Sequence, residues 1–464
     1  MYSGWSKYLS GRCLLMERMR ILPLFFLWVA LASTLGQAAH DPTAPYLGQW
    51  IGEAETQLES TRLVLDINSI DGELSAKMTL LDVGVMGWPS KRVQRVAEEL
   101  HVVFPSDSGD QTMRFSLNVT KTGEPVLEGT WSDARFEDIA NVTLTQAIGE
   151  EVLTEQAVNI EGPAGTLSAA LILPTGKGPH PGIICLHGSG PQPKDANRFA
   201  ARALARRGIA TLIFDKRGVG KSEGKWAGAS FDDLADDGVA AAQYLLSLPE
   251  VSSVGFFGHS QGGWIGPLAG TKWEKTAFVI SSAGPAVPPS REAQWGFVRK
   301  LRSLGVDENE IESARQIIEY WHDGIRTAEW SRLDAAIQAA RARPWFEPSG
   351  FDHFSRRPNK AFAKNYRAFM DYDPVPTLKR INAPLLAILA PDDESIDSHE
   401  TDEILTGLIE QGNDIRVKLY PGFDHSIRKL GGQDQLLRWP EHPKDYFSAQ
   451  AAFIHEVMPS RERD

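Results

Sequence analysis

The sequence predicts an α/β protein with a mostly parallel sheet, helices on both faces and a helical cap, preceded by a small all-β domain. Three observations carry this. From about residue 152 onward, short apolar runs alternate with amphipathic helical stretches. Residues 46–148 instead show short strands separated by turn signals. Residues 290–372 form a charged, tryptophan-containing helical stretch without strand signals, which reads as an insertion over the sheet. A length of 464 residues is too great for one ordinary core and agrees with more than one domain.

The elements follow in order. In the all-β part, Leu63–Ile67 is extended and apolar, and turns follow at Asp71-Gly72, Gly109-Asp110 and Thr122-Gly123. Phe115, Leu117 and Val119 alternate with polar residues, as on a half-buried strand. Gly129–Trp131 and Val142–Leu144 complete a set that suits a small barrel or sandwich. In the second part, Val158–Ile160 and Leu167–Leu173 form a leading antiparallel pair. The parallel strands are expected at Ile183–Leu186, Ala210–Phe214, Val254–Phe257, Phe278–Ile280, Leu385–Leu389 and Arg416–Leu419. Helices are expected at Ala196–Arg207, Leu234–Leu248 and Glu400–Gln411, and this domain extends over 152–460.

At the N-terminus, Arg18 and Arg20 precede an apolar run from Ile21 to Leu35, and the small residues Gly36, Ala38 and Ala39 follow. This is the layout of a secretory signal peptide over residues 1–39, cleaved after Ala38 or Ala39. Met16 or Met19 as the start gives a more compact signal. The run is short for a membrane span, so an exported protein, periplasmic or secreted and without a retained anchor, is expected. Of two cysteines, Cys13 leaves with the signal and Cys185 sits in an apolar run, so neither an internal disulfide nor a cysteine metal site is expected. The net charge is −12, which disfavours nucleic acid as a partner.

The chemistry centres on Gly258-His259-Ser260-Gln261-Gly262. The apolar run Val254–Phe257 precedes it, and Trp264-Ile265-Gly266 opens a helix. A serine on a sharp strand-to-helix turn is lifted clear of the sheet, and the flanking glycines admit the tight backbone. The helix that follows aims its N-terminal amides at the site, where they favour developing negative charge. Ser260 is therefore the expected nucleophile. The glycine-rich turn His187-Gly188-Ser189-Gly190-Pro191 can supply one oxyanion N–H, assigned to Ser189 with Gly188 or Gly190 as register alternatives, and Gln261 supplies the second.

A nucleophile of this kind needs a base later in the chain. His322 and His353 fall in the cap, His399 opens a helix, and His442 and His455 lie in the C-terminal helical region. His425, in a loop just past the last strand, is the expected base, and His187 is read as structural because it precedes Ser260. The acid is expected after Leu385–Leu389, where Asp393 is favoured over Asp392, with Glu394 the outsider. The loop Asp215–Ser222 lacks phosphate-loop spacing and reads as a structural turn. Trp321, Trp330 and Trp345 either line an apolar pocket or form cap core.

Together, His187–Gly190, Phe214–Ser222, Gly258–Gly263, Asp393 and His425 resemble the α/β-hydrolase superfamily, most of all its bacterial esterase and serine-aminopeptidase-like members. The resemblance covers roughly residues 150–458. It implies a Ser260–Asp393–His425 triad working through an acyl-enzyme, an oxyanion hole from Ser189 and Gln261, and a cap that shapes the acyl pocket. No cofactor and no metal is implied. The N-terminal part is similar to small β-barrels fused ahead of exported hydrolases. The expected activity is a carboxylesterase acting on a small-molecule acyl ester. The alternatives are an aminopeptidase-like enzyme, with Glu312 or Glu319 holding a substrate amine, and an inactive binding protein.

Overall fold

The computed structural model describes residues 43–55, 60–80, 85–105, 109–133, 136–146, 153–350, 357–430 and 440–458. The expected signal peptide lies outside the described residues.

The N-terminal domain is one antiparallel sheet of nine strands. They are β1 (Gly48–Glu55), β2 (Ser60–Ile70), β3 (Glu73–Leu80), β4 (Val85–Pro89), β5 (Arg92–Val96), β6 (Glu99–Phe104), β7 (Gln111–Val119), β8 (Pro125–Asp133) and β9 (Phe136–Gln146). The spatial order is β4-β3-β2-β1-β9-β8-β7-β6-β5, so the two ends of the order are neighbours in the chain. Ser90 donates to Ala76 O at 2.8 Å and Lys91 to Val103 O at 2.7 Å. One bent strand thus leaves β3 and joins β6, which draws the sheet into a barrel and leaves few open edges. Alternation drives the closure. Trp50, Leu65, Met78, Phe104, Phe115, Leu127, Trp131 and Leu144 all point into one core and are fully buried. The indole N–H groups of Trp50 and Trp131 are matched by Tyr46 O at 2.8 Å and Gln111 Oε1 at 3.1 Å.

The second domain carries β10 (Thr154–Gly162), β11 (Gly165–Leu173), β12 (His180–Leu186), β13 (Ala210–Phe214), β14 (Val251–His259), β15 (Thr276–Ser282), β16 (Leu385–Leu389) and β17 (Ile415–Leu419). Their order is β10-β11-β13-β12-β14-β15-β16-β17. The first two run antiparallel and the rest are parallel, as the sequence predicted. Every residue of β13 and of β16 is buried, which explains why both read as unbroken apolar runs. The helices are α1 (Arg198–Ala205), α2 (Phe231–Leu246), α3 (Gln261–Lys272), α4 (Pro289–Ser303), α5 (Glu308–Thr327), α6 (Ser331–Ala340), α7 (Lys360–Arg367), α8 (Val375–Arg380), α9 (Ser398–Glu410) and α10 (Tyr446–Val457). Adjacent residues of β15 show the two covered faces. Phe278 meets Phe453 of α10, while Val279 lies under Gly266 and Gly270 of α3.

The chain switches direction in the sheet at β12, with β13 on one side and β14 on the other. The crevice of an open α/β sheet lies at the carboxyl ends of the strands at such a point. Loops after β12, β13 and β14 therefore converge there. Helices α4 to α7 lie between β15 and β16 in sequence and enclose a separate core around Ile318, Trp321, Leu333 and Trp345.

A buried ion pair holds the loop after β13. Arg217 meets both carboxylate oxygens of Asp237, at 2.6 and 2.9 Å, and Asp233 Oδ1 at 3.2 Å. Both Arg217 and Asp237 are nearly inaccessible to solvent. Asp237→Ala strands the guanidinium, and an expected loss of about 3–5 kcal/mol follows from leaving one buried charge unpaired. Denaturant melts of the variant and its parent check this, and coincident midpoints contradict it.

Candidate active site

The strand-to-helix turn after β14 places Ser260. Its φ of 55° and ψ of −119° lie where side chains rarely go. Two hydrogen bonds impose that geometry: Ser260 N–H to Ser282 O at 2.9 Å and Gly263 N–H to Ser260 O at 2.7 Å. The glycine flank is a steric requirement. A Cβ at Gly258 would lie 1.9 Å from Gly262 O, and one at Gly263 would lie 2.3 Å from Gly284 Cα.

The loop after β17 carries His425, and its Nε2 lies 2.9 Å from Ser260 Oγ. Nδ1 of the same ring lies 2.8 Å from Asp393 Oδ2. With Asp393 ionised, Nδ1 carries the proton and Nε2 is left to accept from the serine hydroxyl. The carboxylate is fully buried, and its other oxygen accepts from the N–H groups of Ser395 and Ile396 at 2.7 and 3.2 Å. Asp392 turns the other way. It is exposed and accepts from Gly422 N–H at 2.6 Å, so it pins the turn that leads to His425. Glu394 is exposed and meets Arg299 at 3.4 Å.

Two further histidines lie near the motif. His187 is buried, with its ring edge-on to Phe214 at 4.9 Å, and burial lowers its pKa to about 3. His259 stands 5.2 Å from the His425 ring, and burial, followed by the charge of His425, lowers its pKa to about 3. Both rings are neutral at physiological pH.

A cavity of about 400 Å³ opens beside the triad. Ser189, Gly190 and Gln261 form its floor, and Trp226, Trp264, Phe362, Tyr366 and Phe369 supply aromatic walls. The cap contributes through α4, with Pro289, Glu292 and Ala293, and through α7, with Phe362, Asn365 and Tyr366. Asn365 Oδ1 accepts from Gly228 N–H at 2.8 Å and ties α7 to the loop before α2. Trp321 and Trp345 are buried in the cap core and Trp330 packs against it, so none of the three lines this cavity. Glu312 and Glu319 are exposed on α5 and do not line it either.

Two functional candidates escaped the sequence reading. Lys216, in the loop read as a structural turn, is 3% exposed and lines the cavity. Burial lowers its pKa to about 7. Glu292 opens α4 and lines the same cavity. Burial, then the charge of Asp393, raises its pKa to about 8. A charged triplet directly after a buried strand, Asp215-Lys216-Arg217, was the signal available for the first. Nothing in one dimension marks the second.

Glu292 has a consequence for stability. Between its ordinary value of 4.5 and about 8, the folded protein holds a proton that the unfolded chain has released. Its contribution to stability therefore falls as pH rises through that window. Glu292→Gln stays neutral at every pH, so its melting temperature relative to the parent is expected to rise between pH 5 and pH 8.5. A pH-independent difference in thermal melts contradicts this.

Among the described residues, no group of three or more His, Cys, Asp or Glu is arranged to hold a metal ion. No described helix is long and apolar enough to cross a membrane.

Residues 178–429, more than half of the chain, match the family described as serine aminopeptidase, S33. The chain belongs to this α/β-hydrolase family. The matched stretch runs from the start of β12 to beyond His425 and includes the S33 member's entire cap insertion. Among curated relatives, the esterase EstD of Thermotoga maritima is 27% identical over 183 residues, 38% of this chain. The alignment spans 43% of that esterase's length, less than half of it. The bifunctional esterase/perhydrolase DCH of Acinetobacter calcoaceticus is 23% identical over 247 residues, covering 53% of this chain and 85% of that protein. A solved esterase of Pyrococcus furiosus aligns with a TM-score of 0.43 at 17% identity, over 66% of this chain and 92% of that one.

Proposed function

We propose that this protein is a serine carboxylesterase with Ser260, His425 and Asp393 as its triad. The observation that carries the reading is the pair of contacts through one imidazole, 2.9 Å to Ser260 Oγ and 2.8 Å to Asp393. Ser260 Oγ attacks the ester carbonyl carbon while His425 Nε2 takes its proton. The tetrahedral oxyanion is held by the N–H groups of Ser189 and Gln261. As the intermediate collapses, the alkoxide leaves with the proton from Nε2, and an acyl group remains on Ser260. Water then attacks this ester with His425 again as base, and the carboxylic acid departs. Asp393 stays ionised throughout and keeps the ring in the required tautomer.

The cavity favours an uncharged, apolar acyl group, since its walls are largely aromatic. A parallel assay of p-nitrophenyl acyl esters and aminoacyl arylamides tests the substrate class. Higher kcat/KM on esters is the expected result. Higher kcat/KM on the arylamides transfers the assignment to an aminopeptidase, a reading that Glu292 in the cavity favours over Glu312 or Glu319. Export rests on the N-terminal pattern Arg18–Ala39. N-terminal sequencing of protein from the periplasm or medium should begin at Ala39 or His40, whereas an uncleaved chain in the cytoplasm refutes export.

A further inference from the structure

We infer that Lys216 is the positioning residue of the oxyanion hole, gripping the loop around Ser189 and the side chain of Gln261 so that their backbone N–H groups face the substrate carbonyl. The inference rests on the serine-hydrolase reading above and adds a residue to it.

The geometry starts from the sheet. Lys216 follows β13 by two residues, and β13 lies beside β12, whose end carries His187–Pro191. The Lys216 ammonium donates to Gly188 O at 2.7 Å, to Gly190 O at 2.8 Å and to Gln261 Oε1 at 3.2 Å. The two carbonyls straddle Ser189, and the left-handed φ of 84° at Gly190 lets them converge on one point. An ammonium has three donors on a flexible stem, which suits three convergent acceptors.

Peptide planarity turns this contact into aim. Gly188 O and Ser189 N–H belong to one trans peptide, so they point in opposite directions. With Gly188 O held by Lys216, Ser189 N–H is directed away from the lysine. A cation on the carbonyl also polarises that amide and strengthens the bond its N–H makes on the far side. On the second donor, Gln261 opens α3 directly after the nucleophile, and Lys216 fixes its side chain.

The chemical environment separates this lysine from a structural ion pair. All three of its hydrogen bonds go to neutral oxygens. Asp215, next to it, is engaged by Lys194 at 2.9 Å. Arg217, on its other side, has its carboxylate mate in Asp237. A buried cation matched only to dipoles is costly to retain. Its position behind both proposed oxyanion donors supplies a reason to keep it.

The test compares Lys216→Met, Lys216→Arg and the parent on the best ester substrate. Lys216→Met is expected to lower kcat by about 10²–10³-fold with KM changed by less than about threefold, the pattern of a lost transition-state interaction. Affinity for a trifluoromethyl ketone, which forms a tetrahedral adduct on Ser260, should fall in proportion to kcat/KM. Lys216→Arg keeps a cationic donor and should recover at least about tenfold of the loss. A parental kcat in Lys216→Met overturns the inference. So does a loss shared by KM and melting temperature without recovery by arginine, because that marks packing. If Lys216→Met does not fold, Lys216→Gln is read by the same criteria. Fluorophosphonate labelling of the parent separates the two levels. A labelled Ser260 with an indifferent Lys216 rejects this inference alone, and an unlabelled Ser260 rejects the reading beneath it.

Discussion

Ser260→Ala is expected to lower kcat by about 10⁶-fold, the scale on which triads fail when the nucleophile is removed. The fold should be unaffected. Both hydrogen bonds that hold the turn use backbone atoms of residue 260, so alanine inherits the same conformation. Residual turnover would come from the oxyanion donors and from substrate binding. Steady-state kinetics on the preferred ester, with circular dichroism as a control for folding, checks the prediction. Turnover within about tenfold of the parent would remove Ser260 from the mechanism.

Asp393→Asn is expected to lower kcat by about 10⁴-fold, because an amide no longer selects the tautomer that leaves Nε2 free to accept. The neighbouring substitution provides the control. Asp392→Asn removes the carboxylate from Gly422 N–H, a contact on the exposed rim that pins a loop and does not touch the imidazole. Its expected effect is under about tenfold on kcat, which stays in line with a hydrogen bond outside the proton path. The two variants compared on one substrate decide which aspartate is the acid. A larger loss at 392 reverses the assignment.

The linear signals and the three-dimensional result agree where a feature is local. β13 and β16 begin and end where their apolar runs do, since both faces are covered along their whole length. β12 and β14 extend past their apolar cores, because His180, Pro181 and Ser253 join the ladder through backbone pairing that hydrophobicity does not record. Helix α2 begins at Phe231, before the predicted Leu234, with Ser230 and Asp233 forming a reciprocal cap across its first turn. In the β-domain, alternation announced strands but left barrel and sandwich open. The answer lay in the two-residue link between β4 and β5.

At the site, Ser260 and His425 stand out because one sits in a glycine-flanked turn and the other follows a terminal strand. The choice between Asp392 and Asp393 depends on which side chain a turn directs inward, and only coordinates express that. Lys216 was read as part of a turn, since its three acceptors come from segments 26 to 45 residues away. The tryptophans of the cap illustrate the converse. Trp321 and Trp345 are large and apolar, yet they fill the cap's own interior, while smaller rings on α7 face the cavity.

The barrel closure also bears on the order of assembly. β1 pairs along its length with β9, in a register that sets Trp50 against Gln146. The first strand of the chain therefore waits, unpaired on one side, until nearly the whole domain has been synthesised. Non-local pairing of this kind is slow and leaves apolar faces open to wrong partners in the meantime. If the chain is threaded across a membrane before it folds, that waiting period falls on the far side, where β10 and the rest of the catalytic domain emerge directly behind.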